Sequence, residues 1–309
     1  ASTSTNRSAQ LYDNTTLNIA NSNAVVTMNG GIEGQGDLTI DGDGTISVAK
    51  NNTSFFSFDG NVIMNGGSLV LEGEATPKAG LGKAQKLIMA GGEFITHSEN
   101  DKDPKYTFPI EAKAGTTSKI SFYRNCEIAS KVSGSGTLEW EVFWVREYLE
   151  GNWDDFTGRV IVKGTGSAGN SQFAPYNGTG IKNGTITLTG TAQIASKKNQ
   201  ATLYLGGLSG DAGTFLSGFD VKNAGSGTWI VGTANTDETF RGVIDNRAQG
   251  GKIGTTAIEK RGTGDWRLEG ANVYSGTTDV TEGTLIVNGN HTGTGAVTVK
   301  SGATLAGKG

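Results

Sequence analysis

Residues 260–289 read KRGTGDWRLEGANVYSGTTDVTEGTLIVNG. Trp266 and Leu268 alternate with Asp265, Arg267 and Glu269, and Leu285 and Val287 alternate with Ile286 and Asn288. That period of two marks half-buried strands. Between the runs, Asn272, Tyr274 and Gly276 form a corner. Gly270, Gly276, Gly283 and Gly289 fall 6, 7 and 6 residues apart. Each strand is therefore too short to fold alone and must pair with neighbouring turns of the chain, which is the logic of a stacked β-solenoid.

The same pattern occurs twice upstream. Gly134-Ser-Gly136-Thr-Leu138-Glu-Trp140 leads to Trp153, Phe156, Gly158 and Val160, and Gly225-Ser-Gly227-Thr-Trp229 leads to Asn235, Phe240, Gly242 and Ile244. The repeat copies therefore span 134–164, 225–244 and 262–289, with Trp140, Trp229 and Trp266 at matching positions. The insertion is longest in the first copy, over 141–155. Residues 11–74 carry two-apolar strands at Leu17/Ile19, Val25/Thr27, Leu38/Ile40, Ile46/Val48, Val62/Met64 and Leu69/Leu71, separated by Asn/Gly/Asp corners. Their spacing predicts a three-sided coil of roughly 20–25 residues and on the order of a dozen coils. Pro77 and glycines predict a loop over 75–84, and Pro104, Pro109 and a charged cluster predict another over 98–109.

The run Gly262-Thr-Gly264-Asp-Trp266-Arg-Leu268, then Gly270-Ala-Asn272-Val-Tyr274-Ser-Gly276, then Gly283-Thr-Leu285-Ile-Val287-Asn-Gly289, resembles the autotransporter-associated β-strand repeat, also called the passenger-associated transport repeat. The resemblance implies a bacterial surface or secreted protein built as a β-helix, and implies no chemical activity. The expected architecture is all-β: one right-handed parallel β-helix with loop insertions, spanning 1–309.

Composition agrees. Glycine supplies 49 of 309 residues and proline 4, which suits tight turns between paired strands rather than a collagen-like or Pro-Gly disordered chain. A net charge of -4 gives no electrostatic footprint for nucleic acid or an anionic membrane. There is no run of 18 apolar residues for membrane insertion, and ASTSTNRSAQ at the start is polar. The chain is read as a fragment whose transport or anchoring region lies beyond Gly309. The single Cys126 makes no intramolecular disulfide.

Residues that could carry chemistry are few. A β-helix polysaccharide lyase would use carboxylates around Ca²⁺ with an Arg or Lys base. Asp154, Asp155, Arg159, Glu147 and Glu150 could fill those parts, yet their corner recurs at Gly242 and Gly276 without the acids. Asp41, Asp43 and Asp59 read as turn residues rather than glycosidase acids. His97 and His291 sit in polar, loop-like contexts without partners, and Cys126 lies in an alternating run that suits a core position. No catalytic residue, metal or cofactor is expected. The candidate contact surface is the aromatic-acidic segment 140–156, in which Trp144, Tyr148, Trp153, Asp154 and Asp155 would form a glycan platform, because flat rings match the apolar faces of pyranoses. In the competing account Trp140, Trp153 and Phe156 are core and only Trp144 and Tyr148 project outward. The expected role is a non-catalytic passenger or stalk at the cell surface or secreted, touching glycans or a host surface. A carbohydrate-active β-helix and an antiparallel β-sandwich binding module are the alternatives. Oligomeric state is open, with pairing of exposed strand edges expected to give a concentration-dependent dimer.

Overall fold

The computed structural model describes residues 2–5, 8–48, 56–72, 81, 83–97, 105–122, 126–142, 147–167, 171–175, 178–196, 199–218, 225–246 and 254–309. The described residues form strands and turns, and every registered pairing between them is parallel. This is a parallel β-solenoid. Sequential antiparallel pairing, the requirement of the sandwich alternative, is not what joins these strands. The chain divides into two compact units, 1–141 and 142–309.

In the first unit each coil presents three strands. One face stacks Val25–Met28, Thr45–Val48, Ser68–Glu72, Glu93–His97 and Thr117–Phe122. A second stacks Thr15–Ile19, Leu38–Gly42, Val62–Met64, Leu87–Met89, Ile110–Ala112 and Val132–Gly134. The third begins with Ala9–Leu11, Ile32–Gln35 and Phe56–Asp59. The alternation of each strand sends one set of side chains inward, and parallel register then piles like on like. Leu38, Val62, Leu87, Ile110 and Val132 form one buried column, and Ile46, Leu69, Phe94, Ile120 and Trp140 another. At about 25 cal/mol per Å² of buried apolar surface, such columns are the main stabilising term. Corners are glued by Asx side chains across coils: Asp37 N donates to Asn14 Oδ1 at 2.8 Å, 23 residues away, and Asn61 N donates to Asp37 Oδ1 at 2.8 Å, 24 residues away.

The strand pairs expected over 11–74 all appear. The spacing predicts a third side but names none of its strands, since Ile32–Gln35 carries one apolar residue and a glycine at φ +114° and reads as a turn. Of the expected loops 75–84 and 98–109, residues 75–80, 82 and 98–104 lie outside the described residues, and the rest holds core side chains. Leu81 and Ala84 are buried, as are Tyr106 and Phe108, whose rings meet edge-to-face at 5.9 Å. His97 ends a strand rather than sitting in a loop; its side chain and that of Cys126 lie outside the described residues.

The second unit repeats the plan. Its first face runs from Arg159–Gly164 through the second half of Gly180–Gly190 to Asp265–Leu268, Thr284–Val287 and Thr304–Gly307. Its second face stacks Glu147–Leu149, Gln172–Pro175, Gln193–Ala195, Phe215–Ser217 and Val243–Asp245, and the Asn272–His291 bridge lies further along the chain. Its third face stacks Ala201–Leu205, Ser226–Val231, Thr255–Lys260, Thr278–Val280 and Val297–Val299. Trp229 therefore lies on the third face and Trp266 on the first. Both are buried, but the Gly-x-Gly rhythm that equates them marks two different corners of the coil.

Candidate binding surface

The described residues of segment 142–156 include apolar anchors. Val142, Leu149, Trp153 and Phe156 are fully buried, and the Trp153 and Phe156 rings meet edge-to-face at 5.4 Å. Trp153 therefore belongs to the core and offers no ring to a glycan; burying so large an apolar side chain outweighs any gain from displaying it. Trp140 is likewise buried. Trp144 lies outside the described residues. Tyr148 is the middle residue of strand Glu147–Leu149, opposite Ala174, and its side chain is also outside them.

The two acids stay near the surface. Asp154 pairs with Lys182 at 3.0 Å, its backbone N donates to Asn152 Oδ1 at 2.8 Å, and its carbonyl accepts from Asn183 Nδ2 at 2.7 Å. Asp155 is exposed at the start of the two-residue strand Asp155–Phe156. Arg159, cast as a base in the lyase alternative, instead reaches across coils. Its Nη2 lies 2.9 Å from Glu238 Oε1, and its Nη1 donates to Thr187 Oγ1 at 2.7 Å. Gly207 makes this possible, because a Cβ there would lie 2.9 Å from Glu238 Cγ and 2.8 Å from Thr236 Oγ1.

The first unit uses its acids the same way. On its first face Ser68, Glu93, Lys119 and Glu139 stand in register on successive coils. Glu93 accepts from Ser121 Oγ at 2.5 Å and pairs with Lys119 at 3.1 Å. Burial alone would lower the Lys119 pKa, but the hydrogen bond and charge of Glu93, with Glu141 behind, hold it above the usual lysine value. Beside this ladder a polar groove of about 340 Å³ is floored by Gly67, Gly91 and Gly92.

Sequence reasoning missed two buried polar features. Lys260 is wholly buried, in register between Val231 and Val280. Its ammonium donates to the carbonyls of Arg261 at 2.6 Å, Gly262 at 2.7 Å and Glu282 at 3.3 Å. Burial lowers its pKa, with Asp265, Glu282 and Asp237 opposing. Tyr274 and Thr278 share a hydroxyl hydrogen bond of 2.6 Å, and the His291 ring packs on Tyr274 at 4.8 Å. A period-two pattern registers Lys260 as a break, and nothing local says where its charge goes. Among the described residues no three of His, Cys, Asp or Glu converge as cation ligands, and no helix is long and apolar enough to cross a membrane.

Parallel coils, apolar columns inside and cross-coil polar ladders outside define a β-helical scaffold of repeating coils. Residues 258–287 match the family model described as Passenger-associated-transport-repeat. The chain is 26% identical to the Adhesin BmaC autotransporter of Brucella suis biovar 1 (strain 1330), in an alignment covering 92% of this chain and 8% of that protein. It thus spans less than a tenth of the curated relative's length. The chain carries an autotransporter passenger repeat, and its place is the bacterial cell surface or the secreted space.

Proposed function

We propose that this chain is a non-catalytic passenger segment of an adhesin, displaying an extended β-helical surface that contacts extracellular glycans. One observation carries the non-catalytic part: Asp154 of the lyase-like set, like acids elsewhere on the coils, is tied into cohesion between strands. The Asp154 carboxylate holds Lys182, Glu238 holds Arg159, Glu93 holds Lys119, and Asp37 holds Asn61. A general acid or base needs a carboxyl open to substrate and poised in pKa, and these carboxylates hold the scaffold instead. The similarity to a named adhesin supports the contact role.

Glycan contact near Trp144, Tyr148 and Asp155 is part of the proposal, with Asp154 holding the corner in place. The test is a glycan array probed with the native chain and with Trp144→Ala. Binding that weakens in the variant supports contact at this corner. Turnover of any polysaccharide by the purified chain would overturn the non-catalytic assignment.

A further inference from the structure

We infer that the first unit carries a second saccharide contact, centred on Tyr12 and selective for neutral sugars; this rests on the glycan-contact reading above. Tyr12 is 81% exposed and is the one aromatic among the large side chains that stand open to solvent in the described residues. A lone exposed ring is ordinary on a protein surface, so the argument lies in what surrounds it. Leu11, just before it, is buried at the end of strand Ala9–Leu11. The chain therefore turns its corner with the ring outward.

On the next coil Gln35 Nε2 donates to the Tyr12 carbonyl at 3.4 Å, and Gln35 stands in register with Asp59 on the coil after that. Gln35 and Asp59 thus stem from successive coils about one strand spacing, ~4.8 Å, apart, beside the exposed ring. The adjoining Asn14–Asp37–Asn61 ladder locks all three coils at this corner, so the surface is preorganised and binding orders little.

A pyranose fits this arrangement. Its C–H face stacks on the phenol ring, while its hydroxyls donate to Asp59 and exchange hydrogen bonds with the Gln35 carboxamide, which both donates and accepts. The exposed carboxylates of Asp13, Glu33 and Asp59 give the corner a negative surround. That charge disfavours uronates and other acidic sugars.

The experiment uses the full chain on an array of neutral hexose and N-acetylhexosamine oligosaccharides, with acidic oligosaccharides alongside. Tyr12→Ala should lose roughly tenfold in affinity for the neutral glycans, while Tyr12→Phe keeps the ring and retains binding. Both should melt with the native chain, because the ring stands in solvent. Neutral-glycan binding that survives Tyr12→Ala, or that falls only with Trp144→Ala, sinks this site and leaves the general reading standing. Preference for acidic glycans also sinks it. A silent array removes the glycan reading itself.

Discussion

At the scale of single residues, the last coils place two titratable rings face to edge with opposite pH responses. Burial pushes the Tyr274 hydroxyl up to about 12, partly offset by its hydrogen bond to Thr278. Its neutral form is favoured in the folded state, so this stability is present below pH 10 and is lost as pH rises towards 12. For so buried a group, a rise of that size corresponds to about 3 kcal/mol. Burial moves His291 below its ordinary value, so its contribution is present above pH 6.5 and is lost as pH falls through the lowered value. Urea midpoints across pH 5–12 should therefore fall at both ends. Tyr274→Phe should flatten the alkaline limb while costing about 1 kcal/mol below pH 10; an unchanged alkaline limb would remove Tyr274 as its cause. Lys260 poses a different question, since its buried ammonium serves three carbonyls at once. Lys260→Met would leave those carbonyls without their donor and should cost about 2–4 kcal/mol in urea unfolding. A midpoint equal to the native one would mean that other donors take over.

At the scale of elements, cohesion between coils depends on contacts that skip strands. Arg159 and Glu238 lie 79 residues apart in sequence. Their ion pair crosses the first face of the second unit only because Gly207 leaves the path open. A double-mutant cycle with Arg159→Ala and Glu238→Ala should give a coupling of about 1 kcal/mol. The figure is modest because the Arg159 side chain is 40% exposed although that of Glu238 is 6% exposed. Gly207→Ala should destabilise by about 1–3 kcal/mol and lower that coupling, as the new methyl displaces the Glu238 side chain. A cycle indifferent to Gly207→Ala would refute the route. This is also where sequence reasoning reaches its limit. Paired apolar residues such as Leu38/Ile40 or Val62/Met64 announce their strands, because period two is a local property. Arg159 carries no mark of its partner, and Trp229 and Trp266 share a local motif while lying on different faces. Trp153 shows the same limit at the candidate site: the sequence left it between an aromatic-acidic platform and the core, and its burial places it in the core. Tyr12, with no motif around it, gives no signal in the sequence.

At the scale of the whole molecule, each unit is a stack in which coils contact mainly their neighbours, so its stability approximates a sum of coil and interface terms. The glycine-bounded rhythm made that architecture legible in advance, whereas composition could not show which outward faces would take partners. Because coils contact mainly their neighbours, coupling along a column should fade with distance. On the second face of the first unit Val62 and Leu87 stand in register on successive coils, whereas Val132 lies further along the same column. A double-mutant cycle of Val62→Ala with Leu87→Ala should show a coupling of about 1 kcal/mol in urea unfolding, and Val62→Ala with Val132→Ala should add within about 0.5 kcal/mol. Equal couplings for the two pairs would refute a stability set by neighbouring coils.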